Sequence, residues 1–172
     1  MYSRLVDSPI GTITLVAEEG AVTGLYFGDA IANSMKNSAD KGAPENAKQK
    51  RSQEEDILDQ CEKELAAYFI GKLRTFTVPI RAVGTPFRER VWEALLQIPY
   101  GETVSYLDIA KEIGNPKAVR AVGGANHNNP ISIIIPCHRV IGTNGSLTGY
   151  GGGMDAKQWL LELEGKYKNG AI

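Results

Sequence analysis

The chain reads as an α/β protein of the α+β kind: an antiparallel sheet with one helix, then a mostly helical half with a helix-turn-helix and a cysteine placed for chemistry. Three observations predict it. The first 28 residues alternate apolar and polar side chains in short runs, the period of strands. Residues 53–70 switch to the period of an amphipathic helix. Beyond residue 84, capping residues and prolines recur at the spacing of helix starts.

Taken in order, Tyr2 to Val6, Gly11 to Ala17 and Val22 to Phe27 are the strands of a meander, with a turn at Glu18-Glu19-Gly20. From Asp29 to Arg51 the chain is rich in Asn, Ser, Lys, Ala, Gly and Pro with little periodicity, which predicts a mobile surface loop. Ile57, Leu58, Cys61, Leu65, Tyr68 and Phe69 then form the apolar stripe of a helix from Gln53 to Ile70, stopped by Gly71. A short strand over Phe76 to Pro79 and a linker over Val83 to Pro86 follow. The domains are therefore 1–82, an α/β unit, and 85–172.

In the second domain Thr85 is an N-cap and Pro86 the first residue of a helix through Val91, Trp92, Leu95 and Leu96, with Pro99 beyond its end. Ser105-Tyr106-Leu107-Asp108 has capping-box spacing, with Asp in place of Glu, and opens a helix that Gly114 stops. Asn115 and Pro116 start the next, through Val119, Val122 and Ala125. This pair fits an ordinary αα-hairpin as well as a helix-turn-helix. Composition favours the latter, because Lys117 and Arg120 are the only fixed charges on a second helix otherwise built of Ala, Val and Gly. Small residues suit close approach to a groove with contacts to phosphate rather than base edges, so DNA binding with little sequence preference is expected. Close packing of the glycines against another helix is the competing reading.

Bulk numbers agree with a chain that does not bind polyanions by net charge: 172 residues, 42% hydrophobic, net charge −1. Yet no Asp or Glu occurs from Ile113 to Met154, while Lys117, Arg120 and Arg139 are present. That marks one face for a polyanion. No signal peptide or long apolar span is evident, and a cytoplasmic protein is expected. Two cysteines without C-x-x-C spacing fit neither a disulfide framework nor a zinc site, and Cys61 belongs to the core.

Ile133-Ile134-Ile135 reads as a buried strand that Pro136 terminates where Cys137 appears. A thiolate is the reactive form of cysteine, and His138 and Arg139 beside it make an activating neighbourhood. A buried cysteine serving as a small hydrophobe is the bland alternative.

Pro136-Cys137-His138-Arg139-Val140 resembles the active-site signature of the O6-methylguanine-DNA methyltransferases, self-methylating proteins that repair alkylated guanine. The resemblance covers about Thr85 to Gly165 and, more loosely, the first half. It implies a ribonuclease H-like first domain and a winged helix-turn-helix-like second one. It implies that Cys137 takes a methyl or other alkyl group from O6-alkylguanine, in double-stranded DNA whose base is flipped out. His138 would deprotonate it through water, oriented by Glu164, while Tyr106 assists the guanine and Asn129 braces the turn before the site. Glu164 lies near a helix C-terminus, a poor place for an anion by the dipole, which hints at a partner. Arg120 matches the finger that fills the vacated stack, with Lys117, Ala121, Gly124 and Arg139 at the DNA. Tyr150, Gly151 and Gly152 would line the substrate pocket, although relatives often carry serine where this chain has Gly151. Each molecule, expected to be a monomer without metal or cofactor, would act once. Two rivals are a cysteine hydrolase, which would turn over, and a binding protein that recognises alkylated DNA without repairing it.

Overall fold

The computed structural model describes residues 1–28, 47–143, 145 and 154–168, with the side chains of 47–52 and 154 excepted. Residues 29–46 of the expected surface loop lie outside the described residues. Mixed α and β structure is divided into two compact units, Met1–Arg81 and Ala82–Ile172.

In the first unit, β1 (Tyr2–Ser8), β2 (Gly11–Glu18) and β3 (Ala21–Phe27) form an antiparallel sheet in that order, with Val6 opposite Ile13 and Leu15 opposite Leu25. The β2–β3 turn puts both Glu19 and Gly20 at positive φ, the requirement of a tight two-residue hairpin. Helix α1 (Ala47–Phe69) packs on all three strands, burying Leu58, Cys61, Leu65, Tyr68 and Phe69. It starts six residues before the expected Gln53, since residues 48–56 are all polar and carry no stripe to reveal it. The strand expected over Phe76 to Pro79 is instead one parallel bridge between Val22 and Ile80. Pro79 has no N–H to give a ladder, and the Glu64 carboxylate takes the amides of Thr77 and Val78.

In the second unit α2 (Pro86–Leu96), α3 (Tyr106–Glu112) and α4 (Val119–His127) pack on one another. Thr85 accepts from the Arg88 amide, and Ser105 and Asp108 form a complete capping box, as their spacing predicts. Trp92 is buried and its indole N–H donates to the Ala125 carbonyl at 2.9 Å, tying α2 to α4. Asn115 and Pro116 do not start α4: the Ala118 amide bonds to the Asn115 carbonyl at 3.0 Å, closing a turn. Pro116 presets the φ of such a turn as readily as that of a helix start, so the helix begins at Val119 and Lys117 sits on the turn. Strands β4 (Val104–Ser105) and β5 (Val140–Ile141) pair in parallel. This brings the start of α3, with Tyr106, beside the segment that follows Cys137. Helix α5 (Met154–Tyr167) closes the unit against that segment.

Candidate active site and nucleic-acid interface

The isoleucine run is not a strand. Ile133 has φ +72°, the Ile135 amide bonds back to the Ile131 carbonyl at 3.0 Å, and Cys137–Arg139 is a single 3₁₀ turn. A β-branched residue in the left-handed region costs on the order of 1–3 kcal/mol and persists only where its surroundings impose it. Here they do: Asn129 accepts from the Ile131 amide at 3.0 Å and donates to the Ile135 carbonyl at 2.8 Å, while all three isoleucines are buried. Asn126 donates to the Cys137 carbonyl at 3.3 Å. The sequence reading missed Asn126, which sits on the buried face of α4.

Behind the cysteine lies a buried polar cluster. His138 is fully buried, and its Nε2–H donates to Glu164 Oε2 at 2.6 Å. Glu164, 1% exposed, also accepts from Arg139 Nε at 2.7 Å, from Arg139 Nη2 at 3.1 Å and from the Gly101 amide at 3.2 Å. Burial alone would raise the Glu164 pKa, but the bonds and charges of His138 and Arg139 override it and hold the carboxyl well below its ordinary range. An ionised carboxylate can only accept, so the His138 proton is on Nε2 and Nδ1 carries the lone pair. That Nδ1 is buried with no hydrogen-bond partner among the described residues. Burial also lowers the His138 pKa, against the opposing pull of Glu164, so the imidazole is a neutral base.

The expectation that Arg139 contacts DNA is corrected by this arrangement. Its guanidinium is buried, bidentate on Glu164 and donating from Nη1 to the Ile98 carbonyl at 2.7 Å. Arg139 is paired with Glu164 and His138 is neutral, so neither acts on the thiol as a free cation. Burial pushes the Cys137 thiol up, and what pulls it down is, in order, a bond from Asn129, the charge of Lys157 and a bond from Ser132. Lys157, fully buried, donates to the Val140 carbonyl at 2.6 Å and lies 6.0 Å from the centre of the half-buried Tyr106 ring. The sequence reading also missed this lysine. A signal existed, because Lys157 stands seven residues before Glu164 and in phase with Leu160, on the buried stripe of α5.

A pH dependence follows. Both His138 and Glu164 have pKa values depressed by folding, so the unfolded chain binds more protons in acid. Stability is therefore full above the ordinary histidine value of 6.5, falls as His138 must be protonated, and falls further below 4.5 as Glu164 is titrated. Melting temperature against pH should show both steps, and Glu164→Gln should remove the lower one. A flat profile from pH 7 to 4 would contradict the assignment.

On the surface of α4, Arg120, Ala121, Gly124 and His127 are exposed in one stripe, with Lys117 on the preceding turn, while Val122, Ala125 and Asn126 face inward. A side chain built at Gly123 or Gly124 would meet nothing within 4 Å. Packing against another helix among the described residues therefore does not explain the glycines. Tyr150, Gly151 and Gly152 lie outside the described residues. No helix among the described residues is long and apolar enough to cross a membrane.

Residues 1–82 match the ribonuclease-like domain, and residues 86–166 the DNA binding domain, of 6-O-methylguanine DNA methyltransferase. A methylated-DNA–protein-cysteine methyltransferase of Methanosarcina acetivorans is 48% identical over 96% of this chain and 99% of its own. A protein of the same name from Mycobacterium bovis is 48% identical over 95% of this chain and 92% of its own. The crystal structure of Mycobacterium tuberculosis O6-methylguanine methyltransferase superposes with a TM-score of 0.80 at 45% identity, covering 96% of this chain and 93% of that one. That of M. tuberculosis OGT in complex with DNA superposes at 0.77, with 42% identity and the same coverage. With both halves matched and near half of all residues shared along almost the full length, the chain belongs to the 6-O-methylguanine DNA methyltransferase family.

Proposed function

We propose that this protein repairs alkylated DNA by direct reversal, moving the alkyl group from O6 of a flipped-out guanine onto Cys137 in one irreversible step. The observation that carries the reading is the cysteine that follows a strained, braced turn, beside a buried His138–Glu164 pair with a vacant imidazole lone pair. The relatives' shared name specifies the same donor and acceptor, methylated DNA and a protein cysteine.

In the reaction the Cys137 S–H proton passes through a water to His138 Nδ1. The sulfur then forms a bond to the alkyl carbon as the C–O6 bond breaks, and the electron pair leaves with guanine. Tyr106, held at the start of α3, supplies the proton that neutralises the departing base. Glu164, kept ionised, stabilises the imidazolium that forms. Asn129 keeps the turn in place. No group in this scheme cleaves the thioether, so one molecule removes one alkyl group.

For DNA to reach the site, its target base must leave the stack. Arg120 fills the gap, Lys117 meets phosphate, and Ala121 and Gly124 let the α4 backbone approach closely. At Gly124, which is exposed and where an added Cβ meets nothing within 4 Å among the described residues, Gly124→Glu places a carboxylate on that face. It should weaken binding to unmodified duplex by roughly tenfold or more, read by fluorescence anisotropy, with melting unchanged. Equal affinity would remove α4 from the interface. Methyl uptake measured against protein concentration tests the function itself. It should saturate at one group per chain, and continued turnover would favour a hydrolytic enzyme instead.

A further inference from the structure

Lys157 is the unusual feature of this site. Taking an ammonium wholly out of water costs several kcal/mol, and a Leu or Met of similar length would fill the space without that cost. Its position is also specific. Lys157 stands seven positions before Glu164, so two turns of α5 deliver a cation and an anion along one face to the Cys137–Val140 segment. Glu164 takes His138 and Arg139; Lys157 takes the carbonyl of the next residue, Val140, with its charge near the Tyr106 ring.

Resting on the function proposed above, we propose that Lys157 is a positioning residue for the transfer: a built-in counter-charge that favours the sulfur anion of Cys137 and steadies the Tyr106 ring. The groups packed around the Cys137 turn support this. On its own turn are His138, neutral, and Arg139, which is neutralised by the Glu164 of α5. From α3 comes Tyr106, and Tyr100 stacks under Arg139 at 5.7 Å. Asn126, uncharged, comes from α4. Beside the bonds of Asn129 and Ser132, the charge that favours the sulfur anion is that of Lys157. Burial lowers the lysine's pKa and the cysteine's charge raises it, while the lysine's charge lowers that of the cysteine.

The test is the rate of iodoacetamide labelling of Cys137 against pH, without DNA, for the parent, Lys157→Gln, Lys157→Met and Lys157→Arg. Glutamine keeps a donor for Val140 without the charge; arginine keeps the charge. Both neutral variants should move the midpoint upward by about one unit or more, and arginine should restore it. Cys61 checks the fold, since burial pushes its thiol up to about 12 and a folded chain takes one label, an unfolded chain two. Midpoints that coincide with the parent's would overturn the proposal. So would an arginine variant displaced as far as glutamine, or two labels per chain from both neutral variants, which would make the lysine structural. Methyl uptake by the parent from an O6-methylguanine duplex is measured alongside. Uptake with unmoved midpoints sinks only the role of Lys157; no uptake at all sinks the function on which it rests.

Discussion

Cys137→Ala is expected to take no alkyl group from an O6-methylguanine duplex at any time or concentration, while binding that duplex as tightly as the parent. The other cysteine cannot substitute. Cys61 is wholly buried on α1 of the first unit, with its thiol held to about 12 by burial and the nearby charges of Glu64 and Glu62. Loss of one sulfur from a buried site costs about 1 kcal/mol, too little to unfold the unit. The residues offered to DNA lie on α4 and the turn before it, and among the described residues α4 bonds the cysteine from Asn126 to the backbone carbonyl, which alanine keeps. Transfer and binding should therefore separate cleanly, as gel-shift and mass measurements on the same sample would show. Joint loss of both would mean that the sulfur is structural.

Glu164→Gln is expected to damage stability and chemistry together. The amide offers one acceptor where the carboxylate serves His138, two nitrogens of Arg139 and the Gly101 amide. The guanidinium is then left buried without its counter-charge. Breaking one side of a buried ion pair costs roughly 3–5 kcal/mol, enough to lower the melting temperature of a unit this size by more than about 10 °C. Chemistry suffers separately, because nothing then fixes the proton on Nε2 or stabilises the imidazolium, and transfer should slow by on the order of 10²-fold or more at a temperature where the variant is folded. Arg139→Met in the same background should recover part of the stability by removing the stranded charge, and none of the rate. If the double variant melted no higher than the single one, the ion pair would not be what holds this part of the unit.

The pattern of what was legible follows the range of the interactions. Thr85, and Ser105 with Asp108, act on amides three residues away, so their spacing carries the whole signal and both helix starts fall where it puts them. The apolar alternation of residues 2–27 is equally local, and the sheet has the expected strands. The signature of residues 136–140 singled out Cys137 and the histidine whose partner is Glu164. The isoleucine run misled because β-branched residues favour strands on average, whereas this stretch is held by the side chain of Asn129 reaching both Ile131 and Ile135. Arg139 misled for a related reason. Beside a cysteine and in a segment without acidic residues it reads as a free cation, but its partner stands 25 positions later on α5. Lys157 shows the same limit from the other side, since a lysine in a helix is ordinarily a solvated charge and only the fold turns it inward.

The central claim, that one sulfur receives the alkyl group, is tested most directly by digesting the protein after incubation with a duplex carrying O6-methylguanine and weighing its cysteine peptides. The account predicts one added methyl on the peptide containing Cys137, an unmodified Cys61 peptide and a duplex returned to ordinary guanine. A duplex still methylated after long exposure to excess folded protein, or a methyl group found on Cys61, would contradict it.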